Sequence, residues 1–153
     1  MGVPKILVPY NFTVHEWKAF DFVVSTFAGR KDVEITLFHA YIPLPEIDFT
    51  SNPEMKKLTS GMVYLSEELK RKEFGLKSAE DYFLGKGFSE EQVAYVLKRK
   101  EKDIADEIID AAVSGHYSVV VLTRAGKVSR LLARNVHEKV LRALKNVTIC
   151  VAT

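Results

Sequence analysis

The sequence predicts an α/β fold, a five-stranded parallel sheet with helices on both faces, and three observations carry the prediction. Five short apolar runs, near residues 5–9, 33–41, 92–97, 119–122 and 147–151, read as strands of a buried sheet. They alternate with stretches whose apolar residues recur at helical spacing. Turn and cap signals separate the two kinds of stretch, so the chain reads as successive strand–helix units of a doubly wound sheet. At 153 residues it is expected to form one domain with a substantial core.

Lys5-Ile6-Leu7-Val8-Pro9 is the first strand, and Pro9, which lacks an N–H, belongs at its end. Tyr10-Asn11-Phe12 turn the chain, and Thr13 with Glu16 has the Thr-x-x-Glu spacing of a capping box. The helix that follows puts Trp17, Phe20, Val23, Val24 and Phe27 on one face, with Gly29 as its stop. Residues 33–41 are the second strand, and a short helix between two strands implies a right-handed crossover and parallel pairing. Residues 42–53 are a loop marked by Pro43, Pro45 and Pro53, with Pro53 suited to a first helical turn. Met55, Leu58, Met62, Leu65 and Leu69 follow at spacings of 3, 4, 3 and 4, one helical stripe. Gly61 weakens that helix by about 1 kcal/mol relative to alanine. Phe74-Gly75, with Ser78 and Asp81 beyond, leaves open whether residues 53–86 make one helix or two, before Gly85-Lys86-Gly87 end it. Residues 92–97 are the third strand and 98–102 a basic turn. The next helix turns Ile104, Ile108, Ala111 and Ala112 inward as far as Gly115. Residues 119–122 are the fourth strand. The last helix is expected to start at Asn135, which has capping-box spacing to Glu138, and residues 147–151 are the fifth strand.

Between the fourth strand and the last helix lies a polar, basic loop, Thr123-Arg124-Ala125-Gly126-Lys127-Val128-Ser129-Arg130. Strand, glycine-containing loop and helix N-terminus is how α/β proteins hold phosphates, because backbone N–H groups and the helix dipole face the anion. Residues 119–153 carry seven lysines and arginines against Glu138 alone, a net charge of +6. The whole chain is +2, so residues 1–118 sum to −4. Positive charge gathers where the geometry suits an anion, although a solvated basic helix face accounts for the same residues.

This segment resembles the C-terminal signature of the universal stress protein family, Gly-x2-Gly-x9-Gly-[Ser/Thr] and then a helix that often reads Val-x-Glu-x-Val. Gly126 stands for the second glycine and Val136-His137-Glu138-Lys139-Val140 for the helix. Thr123 replaces the first glycine, residues 127–133 are seven rather than nine, and Arg134-Asn135 replace the closing pair. Val8-Pro9-Tyr10-Asn11-Phe12-Thr13 resembles the family's first loop, Val-Pro-x-Asp-x-Ser, with Asn11 where the family's aspartate contacts the nucleoside. Leu37-Phe38-His39-Ala40-Tyr41 resembles its second strand. The resemblance implies strand order 3-2-1-4-5, an adenine nucleotide alpha hydrolase-like arrangement, across a single domain of residues 1–153. In that order a ligand crevice opens between strands 1 and 4 at their carboxyl ends. The candidate ligand-binding residues are then Pro9, Tyr10, Asn11, Thr13, Ala40, Thr123, Arg124, Gly126, Ser129, Arg130, Arg134 and Asn135. Several have an ordinary structural alternative: Asn11 bonding its own turn, Thr13, Ser129 and Asn135 capping helices, Gly126 supplying a positive φ, the arginines solvated.

The function that the resemblance implies is a stress-response regulator, a dimeric binding module with weak or absent ATP binding and no enzymatic activity. The alternative keeps a working site for ATP, AMP or another anionic ligand in the same crevice. Asn11 in place of aspartate removes a charged acceptor, worth about 1.5–3 kcal/mol. Thr123 in place of glycine costs about 1–2 kcal/mol if the loop requires a positive φ. Arg134 puts a long side chain where the backbone should approach phosphates, although Arg124, Lys127, Arg130 and Arg134 can grip phosphate by side chain. No catalytic set stands out. His15, His39, His116 and His137 lack metal-ligand spacing, no carboxylate cluster for Mg²⁺ accompanies the loops, and neither a Gly-x-Ser-x-Gly elbow nor a Walker loop occurs. His39 reads as a buried histidine and Cys150 as a small core residue. Nucleic-acid binding is not expected, since the basic helix needs its apolar face for the core. No run approaches the ~20 apolar residues of a membrane span, and one cysteine fits a reducing compartment, so the expected location is cytoplasmic. Val147, Ile149 and Val151 alternate on a terminal strand and predict a homodimer through its edge.

Overall fold

Alternation along the first strand divides the molecule in two. In β1 (Lys5–Pro9), Ile6 and Val8 join one buried cluster and Leu7 joins another on the opposite face. A computed structural model describes residues 2–42, 55–124 and 130–153, with side chains except at 55–65 and 130–135. After β1 come a 3₁₀ turn (Val14–Glu16), α1 (Trp17–Phe27), β2 (Glu34–Tyr41), α2 (Met55–Gly85), β3 (Val93–Arg99), α3 (Ile104–Ser114), β4 (Val119–Thr123), α4 (Arg130–Ala143) and β5 (Thr148–Ala152). The strands pair in parallel in the order β3-β2-β1-β4-β5, the order that the resemblance implied.

Helices α1 and α2 cover one face. Phe20 and Val23 of α1 and Leu76, Ala79 and Phe83 of α2 pack there on Ile6, Val8, Ile35 and Leu37. Trp17, at the start of α1, lies edge-on to Phe20 and to Tyr82 of α2, with ring centroids 5.3 and 4.9 Å away. Helices α3 and α4 cover the other face, where Ile108, Ala112, Val140 and Leu144 meet Leu7, Phe38, Val120 and Leu122. Lys139 of α4 ties these two helices by ion pairs to Asp103 (2.7 Å) and Asp106 (2.9 Å). No helix among the described residues is long and apolar enough to cross a membrane.

Four details differ from the sequence expectations or settle them. Residues 55–85 form one helix that runs unbroken through Phe74-Gly75. Gly75 serves a close approach there: a Cβ would stand 2.7 Å from Cε1 of Phe12. β3 continues through Lys98 and Arg99, which the sequence had assigned to a turn; an edge strand accommodates such charges. Helix α4 begins at Arg130, not at Asn135. Arg130-Leu131-Leu132-Ala133-Arg134 are all good helix formers, so the helix extends back over them and Asn135 is not its cap. At the end of α3 the left-handed residue is His116 (φ 55°), while Gly115 stays right-handed and makes room for the Tyr117 ring. The loop containing Pro43, Pro45 and Pro53 lies outside the described residues.

Candidate functional site

The crevice follows from where strand pairing stops. β1 pairs with β2 as far as Pro9–Phe38, and β4 pairs with β5 as far as Thr123–Ala152. Between β1 and β4 the paired residues are Ile6–Val119 and Leu7–Val120 only. The two central strands therefore part over their last residues, at the point where the chain order reverses. The opening is a cavity of about 590 Å³. Its walls are the loop from Pro9 to Glu16, residues 38–40 of β2, Ile104 and Ile108 of α3, Leu122 and Thr123 of β4, and Val136 and His137 of α4.

The loop is held from within. Thr13 has extended backbone (φ −102°, ψ 161°) and caps the 3₁₀ turn by accepting from the His15 N–H at 3.3 Å. Glu16 completes the capping box: its carboxylate accepts the N–H of Asn11 and the N–H of Thr13, each at 3.0 Å, and the Thr13 hydroxyl. Glu16 is buried, yet these donors surround its charge. Burial, reinforced by Glu16, pushes the Tyr10 phenol above its ordinary pKa. Across the crevice, His137 Nε2 lies 3.2 Å from the Thr123 carbonyl, which accepts, so Nε2 carries the proton.

Of the residues that line the crevice, Thr123 and His39 each bury a polar atom, Oγ1 and Nε2, that has no hydrogen-bond partner among the described residues. His39 is 6% exposed, and its Nδ1 lies 2.8 Å from the Tyr10 carbonyl. That carbonyl accepts the Nδ1 proton. Burial lowers the imidazole pKa, the bond to Tyr10 opposes it, and Lys72 lowers it further.

Glu107 repeats the Glu16 arrangement at the start of α3. Fully buried, it accepts the N–H of Glu101 (2.8 Å) and of Lys102 (2.9 Å) and pairs with Lys98 Nζ at 2.7 Å. Burial alone would raise its pKa, but the Lys98 ammonium and the two N–H groups outweigh it and hold the carboxyl at about 2.

Of the sequence-derived candidates, Pro9, Tyr10, Asn11, Thr13, Ala40 and Thr123 line the cavity together. Arg124 does not line it: it is exposed, and its N–H is bonded to the Ala152 carbonyl at 2.8 Å. Gly126 and Ser129 lie outside the described residues, as does Lys127. Arg130, Arg134 and Asn135 belong to α4 by their backbone. No lysine or arginine lines the cavity among the described residues. Nor is there among them a group of three or more His, Cys, Asp or Glu side chains placed to hold a metal. Sequence reasoning did not anticipate Val14, His15, Ile104, Ile108, Val136 and His137 as wall residues. The signal was available for the last two only with the correct start of α4, because its second turn is what reaches the crevice.

The model of the universal stress protein family matches residues 2–151. No curated protein matches the chain. Among solved structures, the universal stress protein UspA of Lactobacillus plantarum is 14% identical, with 100% of this chain and 99% of that one covered and a TM-score of 0.67. The universal stress protein of Archaeoglobus fulgidus in complex with dAMP is 14% identical, with both chains covered in full and a TM-score of 0.59. A universal stress protein in complex with cAMP is 14% identical, with 99% and 97% covered and a TM-score of 0.62. At such identities the likeness is one of fold.

Proposed function

Since the chain belongs to the universal stress protein family, we propose that it is a cytoplasmic stress-response binding module, not an enzyme, and that it binds ATP weakly or not at all. The start of α4 carries this reading. β4 ends at Thr123 and α4 begins at Arg130. Arg134 and Asn135, which stand where the family motif closes its phosphate loop, are the fifth and sixth residues of that helix. Beyond the first four residues, helical N–H groups bond within the helix and have no proton to offer a phosphate. The cavity adds no cation among its described lining residues to replace them. Titration calorimetry at low salt tests the reading: ATP is expected to bind with a Kd above about 100 μM, and low-micromolar affinity would refute it.

A second reading, an adenosine monophosphate site, draws on two observations. Two structural neighbours are complexes with dAMP and cAMP. The cavity, about 590 Å³, is of a size that commonly holds small molecules. AMP and cAMP in the same titration separate this from a site without nucleotide.

The module is proposed to act as a homodimer through β5, which pairs with β4 on one side and lies at the sheet edge on the other.

A further inference from the structure

We propose that His39 is a positioning residue for the crevice, holding the loop of residues 10–13 in its binding shape only while the imidazole is neutral. The proposal rests on the reading of the crevice as a ligand site, and its geometry comes from the opposite face of the sheet. Along β2, Phe38 and Ala40 belong to the α3–α4 face and Leu37 to the α1–α2 face. His39 shares the face of Leu37, so its ring lies on the side that α2 covers.

Two contacts make the ring a fastening for the loop. The Nδ1 proton is donated to the Tyr10 carbonyl at 2.8 Å. The Phe12 ring meets the imidazole edge-on, with centroids 4.7 Å apart. Phe12 is in turn packed against Tyr10 (centroids 4.6 Å apart) and against Gly75 of α2, where no Cβ fits. Phe12 also has a left-handed backbone (φ 60°), a conformation that a phenylalanine keeps only when its surroundings impose it. Tyr10, Asn11 and Thr13, the residues on either side of this fastening, line the cavity.

Protonation acts on the one ring atom left without a partner. A proton taken from solvent goes to Nε2, which is buried and faces no acceptor among the described residues. The charged groups around the ring offer little compensation. Lys72 on α2 is cationic, the β3 register partner is Leu97, and on the loop side the Tyr10 phenol is neutral. Glu16, the acid of that loop, is committed to Asn11 and Thr13. A charged imidazole is therefore driven toward water, and moving it breaks its edge-on contact with Phe12. Loss of that contact frees a strained residue at the centre of the loop, so the crevice loses its shape as the pH falls below the ordinary imidazole value of 6.5.

NMR titration of the full chain from about pH 7.5 to about pH 5 tests this, with AMP as the ligand probe measured in parallel by calorimetry. The expected result is that the amide signals of Tyr10, Asn11 and Thr13 shift with the midpoint of the His39 ring, and that AMP affinity falls roughly tenfold over the same interval. His15 and His137 also line the cavity, so His39→Asn is the control. Its amide can still donate to the Tyr10 carbonyl but cannot titrate, and both pH dependences with that midpoint are expected to vanish. Loop signals that stay fixed while His39 titrates, or a pH profile unchanged in His39→Asn, would overturn the proposal. Should AMP bind at no pH, the monophosphate reading fails while the loop titration still decides the role of His39. Should His39→Asn not fold, the wild-type titration decides alone.

Discussion

Glu16 and Glu107 show what single residues do at the carboxyl edge of this sheet. Each is a buried carboxylate that accepts two backbone N–H groups of the loop leading into a helix. The chain thus supplies its own anions where such loops often receive one from a ligand. Glu107 gives this a measurable form. Its folded pKa, about 2, lies below the ordinary 4.5, so its contribution is complete above 4.5 and fades as the pH falls toward 2. Glu107→Gln removes the charge that Lys98 and the loop N–H groups hold, and should cost about 2 kcal/mol near neutral pH. Urea unfolding of both proteins checks this, and the gap between their midpoints should narrow at about pH 3. A gap that is the same at both pH values would contradict the account.

At the scale of elements, α2 settles what a glycine leaves open in the sequence. Gly75 is compatible with one helix or with a break between two, and in the structure the helix is continuous and Gly75 is the contact point of helix and loop. Replacement by alanine has two opposed effects. Helix propensity favours it by about 1 kcal/mol, whereas the new Cβ collides with Phe12, and overpacking costs about 1–3 kcal/mol. Phe12 is boxed in by Tyr10 and His39, so the collision should win and Gly75→Ala should lower the urea midpoint. A raised midpoint would mean that the ring moves aside freely. Strands and helices were legible because β1 and β4 are continuous apolar runs and the Thr13–Glu16 box is local, whereas the strand order came from the family resemblance and not from those runs. The start of α4 was not. Asn135 and Glu138 have the spacing of a cap, but the same spacing occurs inside any helix, and only a view of residues 130–134 as helical excludes it. The loop half of the candidate site was legible, since Pro9, Tyr10, Asn11 and Thr13 lie in one short stretch of the sequence. The α3 wall, Ile104 and Ile108, was not, because nothing local to those residues says that they end beside β1.

For the whole molecule, both sheet edges, β3 and β5, have one paired side each. Ile149 of β5 is partly packed into the α3–α4 cluster, whereas Val151 is 38% exposed. Val151→Lys is therefore the cleaner test of the proposed dimer, since it adds charge at the edge without entering the core. Light scattering at tens of micromolar should give a dimer for the natural sequence and a monomer for the variant; a monomer in both would remove β5 as the interface. The parting of β1 and β4 has a further consequence, for the order in which the molecule is made. A ribosome releases about 5–20 residues per second from the N-terminus, and β1, β2 and β3 can pair as soon as residue 99 has emerged. The other wall of the crevice waits for β4 and α4, and Lys5 finds Ser118 only across 113 positions of chain. A nascent chain can therefore pair β1, β2 and β3 before it has a pocket, and any ligand that the crevice takes stabilises the finished protein and not those strands alone.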